Sequence, residues 1–141
     1  MLREAVLSAL GPKRRRIGEI CLILLNDRKI QTLNKQHLGH DYPTDVISFS
    51  YPNAIPGVVR QADQPFGDVY LGLGVAKRQA RELGHPLFYE LITLSVHGSL
   101  HLIGYDDRKP ADKKRMFARQ DRLVKRLLSR GKAKKKSTRT R

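Results

Sequence analysis

The sequence predicts an α+β domain: a small mixed, mostly parallel sheet of about four strands, packed against helices as an α/β sandwich. Three observations predict it. Strand-like and helix-like apolar patterns alternate only loosely along 141 residues, a length that suits a single core. The segment from Pro86 to Ile103 is apolar on nearly every side, as a central buried helix is. Cys21 is the only cysteine and lies in an apolar run, so packing rather than disulfides must hold the fold.

The elements follow in order. Residues 2–10 form a short helix that Gly11-Pro12 ends. Ile17 to Leu25 is nearly continuous in apolar character, which predicts a central strand buried on both faces. Asn26-Asp27 caps a helix carrying Ile30, Leu33 and Leu38, closed by Gly39. A second strand covers Asp45 to Tyr51. Residues 52–67 form a long loop with three prolines, within which Val58-Val59-Arg60 reads as a small edge strand. Gly67-Asp68 opens a third long strand, with Val69, Leu71 and Leu73 facing one way. A helix from about Val75 to Leu83 stops at Gly84, and Pro86 starts the central helix. The last helix, from about Pro110 to Ser129, gathers Met116, Phe117, Leu123, Val124, Leu127 and Leu128 on one stripe. Residues 1–130 therefore make one domain. Residues 131–141 contain almost nothing apolar and read as a disordered basic tail.

Charge is unevenly placed. The chain carries +15 overall, yet residues 1–107 hold 12 Lys/Arg against 11 Asp/Glu, while residues 108–141 hold 16 against 2. Such concentrated positive charge attracts polyanions, which makes RNA the expected partner and Lys132, Lys134, Lys135, Lys136 and Arg139 the expected contacts. A solvated tail that only aids solubility is the plainer alternative. No apolar run approaches the ~20 residues of a membrane span, and only a short mixed segment precedes Lys13-Arg14-Arg15-Arg16. A soluble, cytoplasmic protein with no membrane partner and no small organic cofactor is expected.

The chemistry lies in His97-Gly98-Ser99-Leu100-His101-Leu102-Ile103-Gly104-Tyr105-Asp106-Asp107. Histidines at i and i+4 sit one above the other on a helix face, about 5–6 Å apart at Cβ, and can close on one ion. Gly104 can end the helix and turn the chain so that a carboxylate arrives as third ligand. Catalytic Zn²⁺ takes three protein ligands and leaves a position open. Spacing alone leaves Asp106 and Asp107 both available, each also able to cap the following helix.

These residues resemble the signature H-G-x-L-H-L-x-G-Y-D-H of the YbeY family of bacterial rRNA-maturation metalloproteins. The resemblance continues in Pro43-Thr44-Asp45-Val46-Ile47-Ser48-Phe49, in Gly67-Asp68-Val69, and at Leu33-Asn34 and Met116-Phe117, covering roughly residues 17–128. It implies a four-stranded sheet with helices, distantly like zinc peptidases. It also implies a single-strand-specific, zinc-dependent endoribonuclease of 16S rRNA 3′-end maturation and ribosome quality control. By this resemblance His97, His101 and Asp107 are the metal ligands, with Asp107 standing where the family has its third histidine. Leu38 stands where the family usually has an arginine.

No residue is a clear general base. Asp106 and Asp68 are the candidates able to take a proton, although Asp68 reads more readily as a turn or strand-start residue. A metallopeptidase would carry glutamate after the first histidine, where this chain has Gly98. A non-catalytic or weakly active ribosome- or RNA-binding protein with a structural metal is the other alternative, favoured by Leu38.

Overall fold

A computed structural model of the chain describes residues 1–11, 19–51 and 65–139. The elements are α1 (Leu2–Leu10), β1 (Glu19–Leu25), α2 (Asp27–Leu38), β2 (Val46–Ser50), β3 (Pro65–Gly72), α3 (Leu73–Leu83), α4 (Leu87–Leu102) and α5 (Pro110–Arg139). The class is the expected one, a small mixed α+β domain. Among the described residues the sheet has three strands in the order β1-β3-β2, with β1 parallel and β2 antiparallel to β3. The fourth strand expected at Val58-Val59-Arg60 lies outside the described residues.

Alternation along β3 divides the sheet into two faces. Val69 and Leu71 are completely buried and share a face with their register partners Ser48, Val46 and Leu22. That face meets α4. The opposite face carries Asp68, Tyr70 and Phe49, and α2 covers part of it through Ile30 and the His37–Phe49 ring contact.

The continuous apolar run of β1 predicts a central strand, but among the described residues β1 lies at the edge of the sheet. Its burial alternates, Leu24 is exposed, and Cys21 is exposed rather than a core side chain. The centre belongs to β3, whose run is shorter and interrupted by Gly67 and Asp68. An apolar run reports affinity for a covered surface; it does not say which strand lies between two others.

Local chemistry explains the boundaries. The Asn26 side chain accepts a hydrogen bond from the Lys29 N–H at 2.9 Å and starts α2, while Gly39 ends it in the left-handed conformation. Leu73, expected as the last strand residue, opens α3 instead, because the strand ends at Gly72. α5 does not stop near Ser129; it runs to Arg139 through the segment expected to be disordered. Gly131 costs only about 1 kcal/mol relative to alanine, and the Lys/Ala sequence beyond it favours helix. The side chains of Lys132, Lys134, Lys135, Lys136 and Arg139 lie outside the described residues.

α4 lies between the sheet and the α1/α5 pair. Ile92, Val96 and Leu100 are completely buried against Ala5, Ala9, Met116, Leu123, Val124 and Leu127. On its sheet side the closest approach is at Gly98. A Cβ there would lie 2.6 Å from Val69 Cγ1 and 3.0 Å from both Ser48 Oγ and Val46 Cγ2. The Ser48 hydroxyl uses this approach to donate to the Gly98 carbonyl at 2.8 Å. Gly98→Ala should therefore destabilise the domain by about 1–3 kcal/mol through overpacking. A denaturant melt with an unchanged midpoint would contradict this packing.

Candidate metal centre

α4 carries His97 and His101 on its solvent-directed end, and the chain then reverses. The N–H groups of Ile103, Gly104 and Tyr105 bond back to carbonyls of Leu100 and His101, and Gly104 has φ +104°. This turn brings Asp107 back over the two imidazoles. His97 Nε2 and His101 Nε2 are 3.2 Å apart, and Asp107 Oδ2 lies 3.7 Å and 3.6 Å from them. Two nitrogens and an oxygen held about 2.0–2.1 Å from a tetrahedral ion would be separated by about 3.3 Å, so the triangle fits a small divalent cation.

The other ring nitrogens decide the tautomers. His101 Nδ1 donates to the Tyr105 carbonyl at 3.1 Å, and His97 Nδ1 donates to Gln120 Oε1 at 2.6 Å. Both Nε2 atoms are therefore unprotonated in the neutral rings, and two lone pairs and a carboxylate oxygen face one small volume. Without a cation such an arrangement is repulsive. With one, it is a ligand set whose orientation is fixed from behind.

His97 is also held in the neutral form. Burial pushes its pKa below the usual 6.5, and His101 acts in the same direction, against opposing contributions from Gln120, Asp107 and Asp45. The unfolded chain thus takes up a proton more readily than the fold below about pH 6.5, so His97 stabilises the metal-free fold above that pH and loses its contribution as pH falls. Thermal melts of chelator-treated protein should show a steeper acid decline for wild type than for His97→Asn. Parallel curves would contradict the burial assigned to this ring.

Phe117 forms an apolar wall, with its ring centroid 5.6 Å from that of His97. Gln120 is the functional residue that sequence reasoning overlooks. It is buried at 5 % exposure, one α5 turn from the fully buried Met116. Its signal was present: a lone amide inside the apolar stripe of α5 needs a partner. Gln120→Ala should leave the His97 Nδ1–H unpaired and weaken metal affinity roughly 10–100-fold, with wild-type affinity contradicting the orienting role.

The remaining predicted residues lie elsewhere. Asp106 turns away from the triangle; its Oδ1 accepts the Arg108 N–H at 3.1 Å, within the loop that leads to α5. Asp68 sits on the sheet face opposite α4 and accepts hydrogen bonds from Tyr51 at 2.7 Å and Tyr70 at 3.0 Å. This carboxylate holds the Tyr51 hydroxyl in its protonated form, its pKa pushed up to about 12. The sheet separates Asp68 from the triangle. Leu38 is 53 % exposed at the end of α2.

A family model described as Endoribonuclease YbeY matches residues 2–128. The chain belongs to the YbeY family. An Endoribonuclease YbeY of Elusimicrobium minutum is 38 % identical over 124 residues, spanning 88 % of this chain and 85 % of that one. One from Bacillus licheniformis is 42 % identical over 113 residues, covering 77 % and 72 %. A solution structure of a Thermotoga maritima protein aligns with a TM-score of 0.61 at 27 % identity, over 94 % of this chain and 83 % of that one. Among the described residues, His97, His101 and Asp107 are the group of side chains placed to hold a metal ion. Asp107 supplies the carboxylate oxygen of that group. Among the described residues, no helix is long and apolar enough to cross a membrane.

Proposed function

We propose that this chain is a metal-dependent endoribonuclease that cuts single-stranded RNA, in 16S rRNA 3′-end maturation and ribosome quality control in the cytoplasm. We take its metal to be zinc, one ion per chain, held by His97, His101 and Asp107. The convergence of two unprotonated Nε2 atoms and a carboxylate oxygen at 3.2–3.7 Å carries this reading, together with membership of the family.

A divalent cation in such a site polarises a phosphoryl oxygen and lowers the pKa of a bound water. The chain's own groups set the conditions. Two neutral imidazoles and one carboxylate leave the centre with a single net positive charge, which attracts a phosphodiester. Three histidines would leave two. Asp107 therefore makes the centre a weaker electrophile and moves its preference toward oxygen-binding ions. Gln120 and the Tyr105 carbonyl hold the imidazoles in place, and Phe117 keeps water from one side of His97. Asp106 lies on the loop that carries Asp107, but its carboxylate is engaged by Arg108 and turned from the triangle, so it is not placed to take a proton there. Asp68 is given no part in proton transfer, since its carboxylate is committed to two tyrosines across the sheet.

Leu38 favours a second reading, an RNA-binding protein with little turnover, because an exposed leucine cannot hold a scissile phosphate as a guanidinium can. Incubating the zinc-loaded protein with single-stranded rRNA separates the two. Cutting that disappears in His97→Ala supports the nuclease; intact RNA with tight, salt-sensitive binding supports the binder. The peptidase alternative lacks its glutamate, and Gly98 packs on the sheet with no room for one.

A further inference from the structure

A groove of about 440 Å³ runs between α1 and α5, lined by Glu4, Leu7 and Ser8 on one wall and by Arg119, Arg126 and Arg130 on the other. Separations of seven and four residues put the three arginines on one face of α5. That face lies about 100° around the helix from Gln120, which points to His97, so the groove and the metal centre use different sides of one helix. The arginines span a rise of about 16 Å, the length of about five stacked nucleotides on one strand.

The groove's arginines differ from others in the chain in their ion pairing among the described residues. Arg78, Arg108 and Arg115 each have a carboxylate, from Asp27, Asp106 and Asp112. Among the described residues Arg119, Arg126 and Arg130 have no such partner, and Arg119 is only partly exposed. Glu4, the one acid among the lining residues, is itself engaged in an interaction. A half-buried guanidinium fork without a carboxylate is suited to a phosphate, which it can grip through two N–H groups.

We propose that the α1/α5 groove is a second anchoring track for the phosphodiester backbone of single-stranded RNA, gripped by Arg119, Arg126 and Arg130 away from the metal centre. The inference rests on RNA being the substrate. It adds where the strand is held outside the cutting site. An acidic peptide is the other polyanion that fits the charge. The groove favours RNA because its apolar lining is confined to Leu7 and Leu123, too little to seat the apolar anchors of a peptide, and because its charges recur along a line.

The test is a salt titration of binding. Full-length wild type, the triple variant Arg119→Gln/Arg126→Gln/Arg130→Gln, and a charge-matched control Arg28→Gln/Lys77→Gln/Arg81→Gln, all at exposed sites on other helices, are titrated against a labelled single-stranded RNA. Strand integrity is checked on a gel afterwards, and thermal melts establish that both variants fold. The groove variant should bind roughly tenfold or more weakly at moderate salt and lose about 2 from the slope of log K against log salt, at about 0.7 per lost phosphate contact. The control should stay near wild type. Equal changes in both variants, or an unchanged slope in the groove variant, overturn the proposal; the latter leaves the groove to an acidic peptide. Cleavage of an oligonucleotide too short to reach the groove is measured alongside. Failure of all variants to cut it counts against the nuclease reading alone, because the slope difference is read from binding.

Discussion

His97→Ala should lower divalent-metal affinity by more than about a hundredfold and abolish RNA cutting, the largest functional effect expected of any single substitution in this chain. The reason is geometric. His97 is the most enclosed corner of the triangle, held by Gln120 behind and walled by Phe117. Removing it leaves His101 and Asp107, two partly exposed ligands that cannot exclude water from the ion by themselves. Asp107→Ala should also weaken binding, but Asp107→His should not, since an imidazole would restore a nitrogen ligand at the same turn. Isothermal titration with Zn²⁺ reads all three variants. Undiminished affinity in His97→Ala would remove the triangle as the metal site, whatever the protein does to RNA.

Leu100→Ala should destabilise the domain by about 2–5 kcal/mol, a large share of the roughly 5–15 kcal/mol that holds a domain of this size together. Leu100 is completely buried in the cluster that joins α4 to α1 and α5, where Val96, Met116 and Val124 leave little freedom to close the gap. It also lies between the two histidines in sequence, and its carbonyl accepts the Ile103 and Tyr105 N–H groups that turn the chain toward Asp107. Loss of packing there should therefore loosen the third ligand as well as the core. A urea melt gives the stability change. A shift below about 1 kcal/mol would contradict the central place assigned to α4.

Much of the domain could be read from residue pattern. α1 and α2 follow from apolar pattern and from stops at Gly11 and Gly39, and α4 from a run that is apolar on nearly every side, because those signals act within a few residues. The i, i+4 histidines and the Gly104 turn are local in the same sense. Strand order was not legible. The run from Ile20 to Leu25 looks more central than β3, and only tertiary packing shows that α2 leaves Cys21 uncovered. Gln120 is the corresponding omission at the site: it lies 23 residues from His97, and only the crossing of α4 with α5 brings them together. Asp68 shows the same limit in reverse. Its place beside Val69 gives no sign that it faces away from the metal, a consequence of strand alternation and of which face α4 covers.

The central claim is that His97, His101 and Asp107 together hold one catalytic divalent ion. Elemental analysis of the purified protein, run beside the His97→Ala variant and paired with the RNA-cutting assay on the same samples, tests it most directly. One divalent metal ion per wild-type chain, lost together with RNA cutting in His97→Ala, is the expected result. A variant that keeps its metal, or a metal-free wild type that cuts RNA at the full rate, would contradict it.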